Sequence, residues 1–80
     1  MLVKVYITMR EGILDPQGKA VLHSLHTLGY NSVEDVRIGK YIELNIAEMP
    51  AQELDAKVKE MCSKLLANPI IEDFRYEVVK

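Results

Sequence analysis

The chain has 80 residues, enough for one small domain (residues 1–80) with a limited core. Ten basic and twelve acidic residues give a net charge of −2, which argues against binding to nucleic acid or to an anionic membrane. One cysteine excludes an internal disulfide, and no apolar run approaches the roughly 20 residues that span a bilayer. We therefore expect a soluble cytoplasmic protein. Because small domains often gain stability from a partner, we also expect a homo-oligomer.

The first predicted elements are a strand and a helix. The strand is predicted from apolar residues at alternate positions, namely Val3, Val5, Ile7 and Met9. Asp15 followed by Pro16 is typical of a helix start, and Gly29 of a helix end. Between them an apolar stripe follows helical spacing; its members are Val21, Leu22, Leu25 and Leu28.

Residues 33–46 predict a hairpin, because apolar side chains alternate on both sides of Gly39. The register that keeps these side chains on one face pairs Ile38 with Ile42, Val36 with Leu44, and Arg37 with Glu43. The first two pairs would lie on a buried face. The third predicts a cross-strand ion pair on the other face.

A second helix is predicted between Pro50 and Asn68, and a last strand from Ile70 to Val79. The helix stripe consists of Leu54, Val58, Met61, Cys62 and Leu65. The pattern of residues 33–38 recurs in residues 71–76, which suggests two related halves. The order β-α-β-β-α-β therefore predicts an α+β fold of ferredoxin-like type, in which one antiparallel sheet carries both helices on one face.

The candidates for chemistry are weak. His23 and His26 share a helix face without a further ligand beside them, so a solvated pair is the better interpretation. Cys62 lies on an apolar stripe, which favours a buried thiol over a nucleophile. We therefore expect no catalytic residue, no metal site and no cofactor site in this chain.

The candidates for docking are stronger. Gly18 costs a helix about 1 kcal/mol relative to alanine, which often marks a close approach of the backbone to a neighbour or a ligand; we favour a packing or docking contact. We expect leucine at this position to preserve the fold and weaken docking. Phosphate binding at the helix start is a minor alternative that Asp15 opposes. The outward sheet face is predicted to carry Lys4, Tyr6, Thr8, Arg37, Tyr41, Glu43, Asn45, Arg75 and Glu77. The candidate interface residues are Glu11, Asp15, Gly18, Arg37, Tyr41 and Arg75.

Three segments, Glu11–Ala20, Val36–Leu44 and Leu65–Asp73, resemble the PurS subunit family of phosphoribosylformylglycinamidine (FGAM) synthase. The resemblance implies an adaptor in purine biosynthesis that is needed for assembly of the complex. Its partners would be a large synthase subunit, which uses ATP and Mg²⁺, a glutaminase subunit, and further copies of itself as a dimer or dimer of dimers. It also implies a part in ammonia transfer between the other subunits, and it supplies no catalytic residue.

Two other classes are open. A small-molecule-sensing regulatory domain of ferredoxin-like shape would bind an effector without partner subunits. An acyl phosphate hydrolase of similar strand order would need a glycine-rich anion loop with an arginine after the first strand. Arg10 and Gly12 occupy those places, but the loop has one glycine and Asp15 opposes an anion.

Overall fold

The computed structural model describes residues 1–79. In chain order its elements are β1 (Leu2–Met9), α1 (Pro16–Thr27), β2 (Gly39–Asn45), α2 (Ala51–Met61), a π-helical turn (Cys62–Leu66) and β3 (Glu72–Val79). The strands form one antiparallel sheet in the order β2-β1-β3. The predicted α+β class is confirmed. Within residues 1–79 no helix has both the length and the apolar character needed to cross a bilayer.

The core lies between the sheet and α2. Its members are Val3, Val5, Ile7, Leu54, Val58, Cys62 and Ala67. Each fully buried aliphatic side chain stabilises the fold by about 1.5–3 kcal/mol relative to leaving it in water. At the rim of the core, the Tyr76 hydroxyl of β3 donates to the Asp55 carboxylate of α2, which lowers the pKa of Asp55. One helix and one sheet face therefore make a complete two-layer unit, which we call the body.

Helix α1 lies away from this core, which differs from the expected arrangement of both helices on one sheet face. None of the residues assigned to the core or packed against it belongs to α1 in the described part of the chain, and Gly18 is the one buried residue of this helix. Val21 and Leu28 of its apolar stripe are 39% and 73% exposed. The helix contacts residues 33–38 instead, and we call Pro16–Ile38 the arm.

Residues 33–38 run along α1 in the opposite direction. The Val33 carbonyl oxygen lies 2.7 Å from His26 Nε2 at the end of the helix, and the Ile38 amide donates to Asp15 at its start. Asp15 and His26 are about 16 Å apart along a helix at 1.5 Å per residue. Five residues cover that distance only when nearly fully extended, at about 3.3 Å each. The segment is therefore extended, but it forms no β-ladder.

The predicted hairpin across Gly39 is wrong within the single chain. Strand β2 begins at Gly39 and pairs with β1, so Glu43 lies opposite Lys4 and not opposite Arg37. The Arg37 guanidinium donates instead to the Met9 carbonyl oxygen.

Gly39 has a different role from the predicted turn. Among the described glycines the positive φ angles belong to Gly12 and Gly29, so the chain does not reverse at Gly39. A Cβ at Gly39 would lie less than 3 Å from the Ile7 carbonyl oxygen, and glycine is needed there for that close approach.

The chain is elongated. Its radius of gyration is 15.9 Å, with extents of 49 × 27 × 15 Å. A compact domain of this length has a radius of gyration of about 12 Å. The arm therefore projects from the body instead of folding back over it.

Candidate functional site

The six candidate interface residues fall into two places. Glu11, Asp15 and Arg37 line a crevice of about 280 Å³ at the junction of arm and body, and Gly18 lies one turn further along α1. Tyr41 and Arg75 lie on the outer face of the sheet, the side away from α2. Of the three residues predicted on the outward sheet face, the structure therefore separates Arg37 from Tyr41 and Arg75.

Asp15 holds the two parts of the arm, α1 and the extended segment, together. Its Oδ1 accepts a hydrogen bond from the Gly18 amide at 2.9 Å, which caps α1, and its Oδ2 accepts one from the Ile38 amide at 2.9 Å. These hydrogen bonds, the one from Ile38 foremost, lower the pKa of Asp15 because they stabilise the carboxylate. One side chain therefore holds both the helix and the extended segment.

Gly18 marks the closest approach inside the arm. A Cβ at this position would lie less than 3 Å from the carbonyl oxygen of Val36, so the two backbones touch directly. The predicted close approach is present. The expectation that leucine would be accommodated there is wrong, because the neighbouring atom belongs to the backbone and cannot rotate away.

The loop after β1 has its arginine already engaged. The Arg10 guanidinium donates to the carbonyl oxygens of Pro69 and Glu72, and it lies 3.3 Å from Asp73 Oδ1. It therefore ties the loop to the start of β3. This engagement does not favour the acyl phosphate hydrolase, which needs a free arginine for an anion.

An aromatic and charged patch covers the outer face of the sheet. Tyr6 of β1 lies between Tyr41 of β2 and Arg75 of β3. The two tyrosine ring centroids are 5.2 Å apart, and the Arg75 guanidinium carbon lies 4.1 Å from the Tyr6 centroid. Glu77 beside the Tyr6 hydroxyl raises its pKa by favouring the protonated phenol. Tyrosine and arginine are enriched at protein interfaces, and we call Tyr6, Tyr41, Arg75 and Glu77 the outer-face patch.

Two apolar surfaces were missed by the sequence analysis. The first is the flank of α1 formed by Val21 and Leu28. The second is a groove of about 540 Å³ next to β2, whose apolar lining is Leu44, Met61, Leu65 and Leu66. The sequence pattern assigned most of these residues to a core, since periodicity shows that a face is apolar but not which surface covers it.

Two of the residues considered for chemistry, Cys62 and His26, have structural roles. Cys62 is fully buried, and burial raises the pKa of its thiol, so it carries little of the reactive thiolate. His26 contacts the Val33 carbonyl. Within residues 1–79 no group of three or more His, Cys, Asp or Glu side chains is placed to hold a metal ion.

Comparison with known proteins assigns the chain to a family. The sequence model described as "PurS: Phosphoribosylformylglycinamidine (FGAM) synthase" matches residues 2–80. The chain belongs to the PurS family. The PurS subunit of Bacillus subtilis FGAM synthase is 63% identical over 76 residues, which cover 95% of this chain and 89% of that protein.

Solved PurS structures share the fold. A B. subtilis PurS structure has a TM-score of 0.89 and 61% identity, covering 99% of this chain and 98% of that one. The structure of PurLQS from Thermotoga maritima contains a chain with a TM-score of 0.82 and 27% identity, and the match covers 99% of both chains. These matches confirm the predicted membership of FGAM synthase, as its PurS subunit in purine biosynthesis. The family supplies a subunit of FGAM synthase, in the purine biosynthetic pathway, and not a free-standing enzyme.

Proposed function

We propose that this chain is the adaptor that joins a large synthase subunit to a glutaminase subunit. The observation that carries the proposal is the match to a chain of the T. maritima PurLQS structure over 99% of both chains. In this proposal the adaptor binds no cofactor of its own, and the large subunit uses ATP and Mg²⁺. The complex works in the cytoplasm.

The chemistry of the described residues supports an adaptor. Its cysteine is buried, and Arg10 and Asp15 are used to hold loops and the arm. What remains on the surface is suited to protein contacts, above all the outer-face patch. An adaptor that fixes a glutaminase against a synthase also allows ammonia to pass between them without dilution into water, which raises its effective concentration at the acceptor.

The adaptor acts as a homo-oligomer, either a dimer or a dimer of dimers. The support for this part of the proposal is the apolar surface that a single chain leaves exposed. Leu28 and Leu65 are 73% and 82% exposed. The core of a single chain is also small for independent stability.

The test uses the reconstituted complex and the variant Arg75→Ala. We expect this variant to fold normally, since Arg75 is 69% exposed, and to bind the other subunits more weakly. Glutamine-dependent FGAM formation should fall at limiting adaptor concentration. Activity with ammonium salts should fall less, because it does not need transfer from the glutaminase.

The matched control is Lys59→Ala, which removes a cation of similar exposure (62%) from α2 on the opposite side of the body. It should leave both activities unchanged. Equal loss in the two variants would show that the outer-face patch is not the docking surface. Full glutamine-dependent activity with no adaptor present would contradict the adaptor function itself.

A further inference from the structure

The outer-face patch holds one of its cations by two contacts at once. The Arg75 guanidinium carbon lies 4.1 Å from the centroid of the Tyr6 ring, and Arg75 Nη1 donates to Glu77 Oε1 at 3.4 Å. The cation therefore stacks on a phenol ring while it pairs with a carboxylate. This combination suits arginine, because a planar guanidinium stacks through its face and donates through its edge.

Strand β2 presents the same two groups next to this cation. The Tyr41 and Tyr6 ring centroids are 5.2 Å apart, and Glu43 lies two positions beyond Tyr41, so both β2 side chains point to the outer face. The Tyr41 ring is 51% exposed, and Glu43 is exposed as well. Partial removal from water and the negative charge of Glu43 raise the pKa of Tyr41. We call Tyr41 and Glu43 the β2 site.

The chain does not supply a cation to the β2 site. Within residues 1–79, the cation that lies over an aromatic ring is Arg75, and its ring is Tyr6. Lys4 lies opposite Glu43 in the sheet register, but the two form no ion pair in this part of the chain. An exposed ring and an exposed carboxylate are therefore both able to receive a cation from outside.

We propose that the β2 site receives an arginine side chain from the surface of a partner subunit of FGAM synthase. The inference rests on the adaptor function proposed above and names the chemistry of its contact. The guanidinium stacks on the Tyr41 ring and donates to the Glu43 carboxylate, as Arg75 does at its own site. Each of the two neighbouring cations then has its own carboxylate, which offsets their repulsion.

The charges around the β2 site favour a cationic occupant over an acidic one. Glu43 and Glu77 lie on either side of Lys4 across the sheet, so this row carries two carboxylates for one ammonium group. An approaching carboxylate would meet Glu43 and the negative face of the Tyr41 ring. A small cation gains little on an open face, because both groups stay hydrated. An arginine on a protein surface is held in place by the surrounding contacts, which also remove water from the pair.

A fluorination series at position 41 tests the contact. Tyr41 is replaced by phenylalanine and then by phenylalanines with progressively more ring fluorine, which weakens the negative potential of the ring face at nearly constant ring size. We expect the affinity for the two other subunits, supplied together, to fall at each step. The last variant should bind about 3- to 30-fold more weakly than Tyr41→Phe. The matched control is the same series at Tyr30, which is 58% exposed and lies outside the sheet, and it should change nothing.

Two charge variants determine the sign of the occupant. Glu43→Gln should weaken binding by about threefold, and Lys4→Gln should strengthen it, since it removes a competitor for the carboxylate. The matched control is Glu53→Gln, which removes a 53% exposed carboxylate from α2 on the opposite side of the body. The reverse pattern, with Glu43→Gln tighter and Lys4→Gln weaker, would identify an acidic partner and overturn the proposal. Affinities equal to that of the control would overturn it too.

The outcomes distinguish this inference from the adaptor function. A flat fluorination series with normal binding of the unmodified chain would overturn the inference and leave the adaptor function standing. Failure of the unmodified chain to bind either subunit would contradict both. Sedimentation of the chain alone covers a third outcome. If fluorination at position 41 weakens association between copies of the chain instead, the cation belongs to a second copy and the inference is overturned.

Discussion

Leu28→Ala should separate the oligomer while sparing the single protomer. Leu28 is 73% exposed at the end of α1, so most of its burial energy is not used within one chain. Full burial of a leucine is worth about 1.5–3 kcal/mol, and the exposed share is about 1–2 kcal/mol per chain. A symmetric dimer contains this contact twice, which gives about 2–4 kcal/mol or about a 30- to 1000-fold weaker dimer.

Sedimentation velocity over a dilution series measures this change directly. Circular dichroism at low concentration checks that the secondary structure of the protomer is retained. Ile70→Ala is the matched control, because Ile70 is 79% exposed but lies in the turn before β3 and not on α1. The reasoning is refuted if Leu28→Ala dissociates no more readily than the unmodified chain, or if Ile70→Ala has the same effect.

Three further outcomes are expected. Gly18→Ala places a Cβ against the Val36 carbonyl and should speed hydrogen exchange at the arm, whereas Ser24→Ala on the exposed side of α1 should not. The pKa of Asp15 is lowered by its backbone donors, so the arm contact is complete above the ordinary pKa of 3.8 and weakens as the pH falls through the lowered value. The NMR shift of the amide at position 38 should follow this acid transition. The transition should be absent in Asp15→Asn. Val58→Ala removes a fully buried side chain of the body and should lower the free energy of unfolding by about 1.5–3 kcal/mol. Urea denaturation measures this change. A loss below about 0.5 kcal/mol would contradict the assigned core.

Local signals predicted the local structure well. Asp15 and Pro16 mark the start of α1, and the alternating pattern of β1 gives its buried face, because caps and periodicity act over a few residues. The π-helical turn at Cys62–Leu66 was not predicted, since the apolar stripe there is compatible with a continuing α-helix.

Long-range arrangement was predicted less well, for physical reasons. The pattern around Gly39 specifies which side chains share a face and which strands are compatible, but it does not specify whether both strands come from one chain. Glycine also has two uses, reversal and close approach, and composition alone does not distinguish them. At Gly18 the close approach was predicted correctly, but its partner Val36 was not. The outward face was largely correct, with Arg37 as the exception.

The position of β1 in the middle of the sheet has a consequence for synthesis. This strand comes first along the chain, but one of its two neighbours, β3, comes last. While the chain emerges from the ribosome, residues 2–9 wait for Glu72–Val79 with an apolar face uncovered, whereas α1 can form from nearby residues at once. Contacts between such distant segments slow folding, since a long loop must close before they form. The nascent chain is therefore most exposed to aggregation just before its final strand is released.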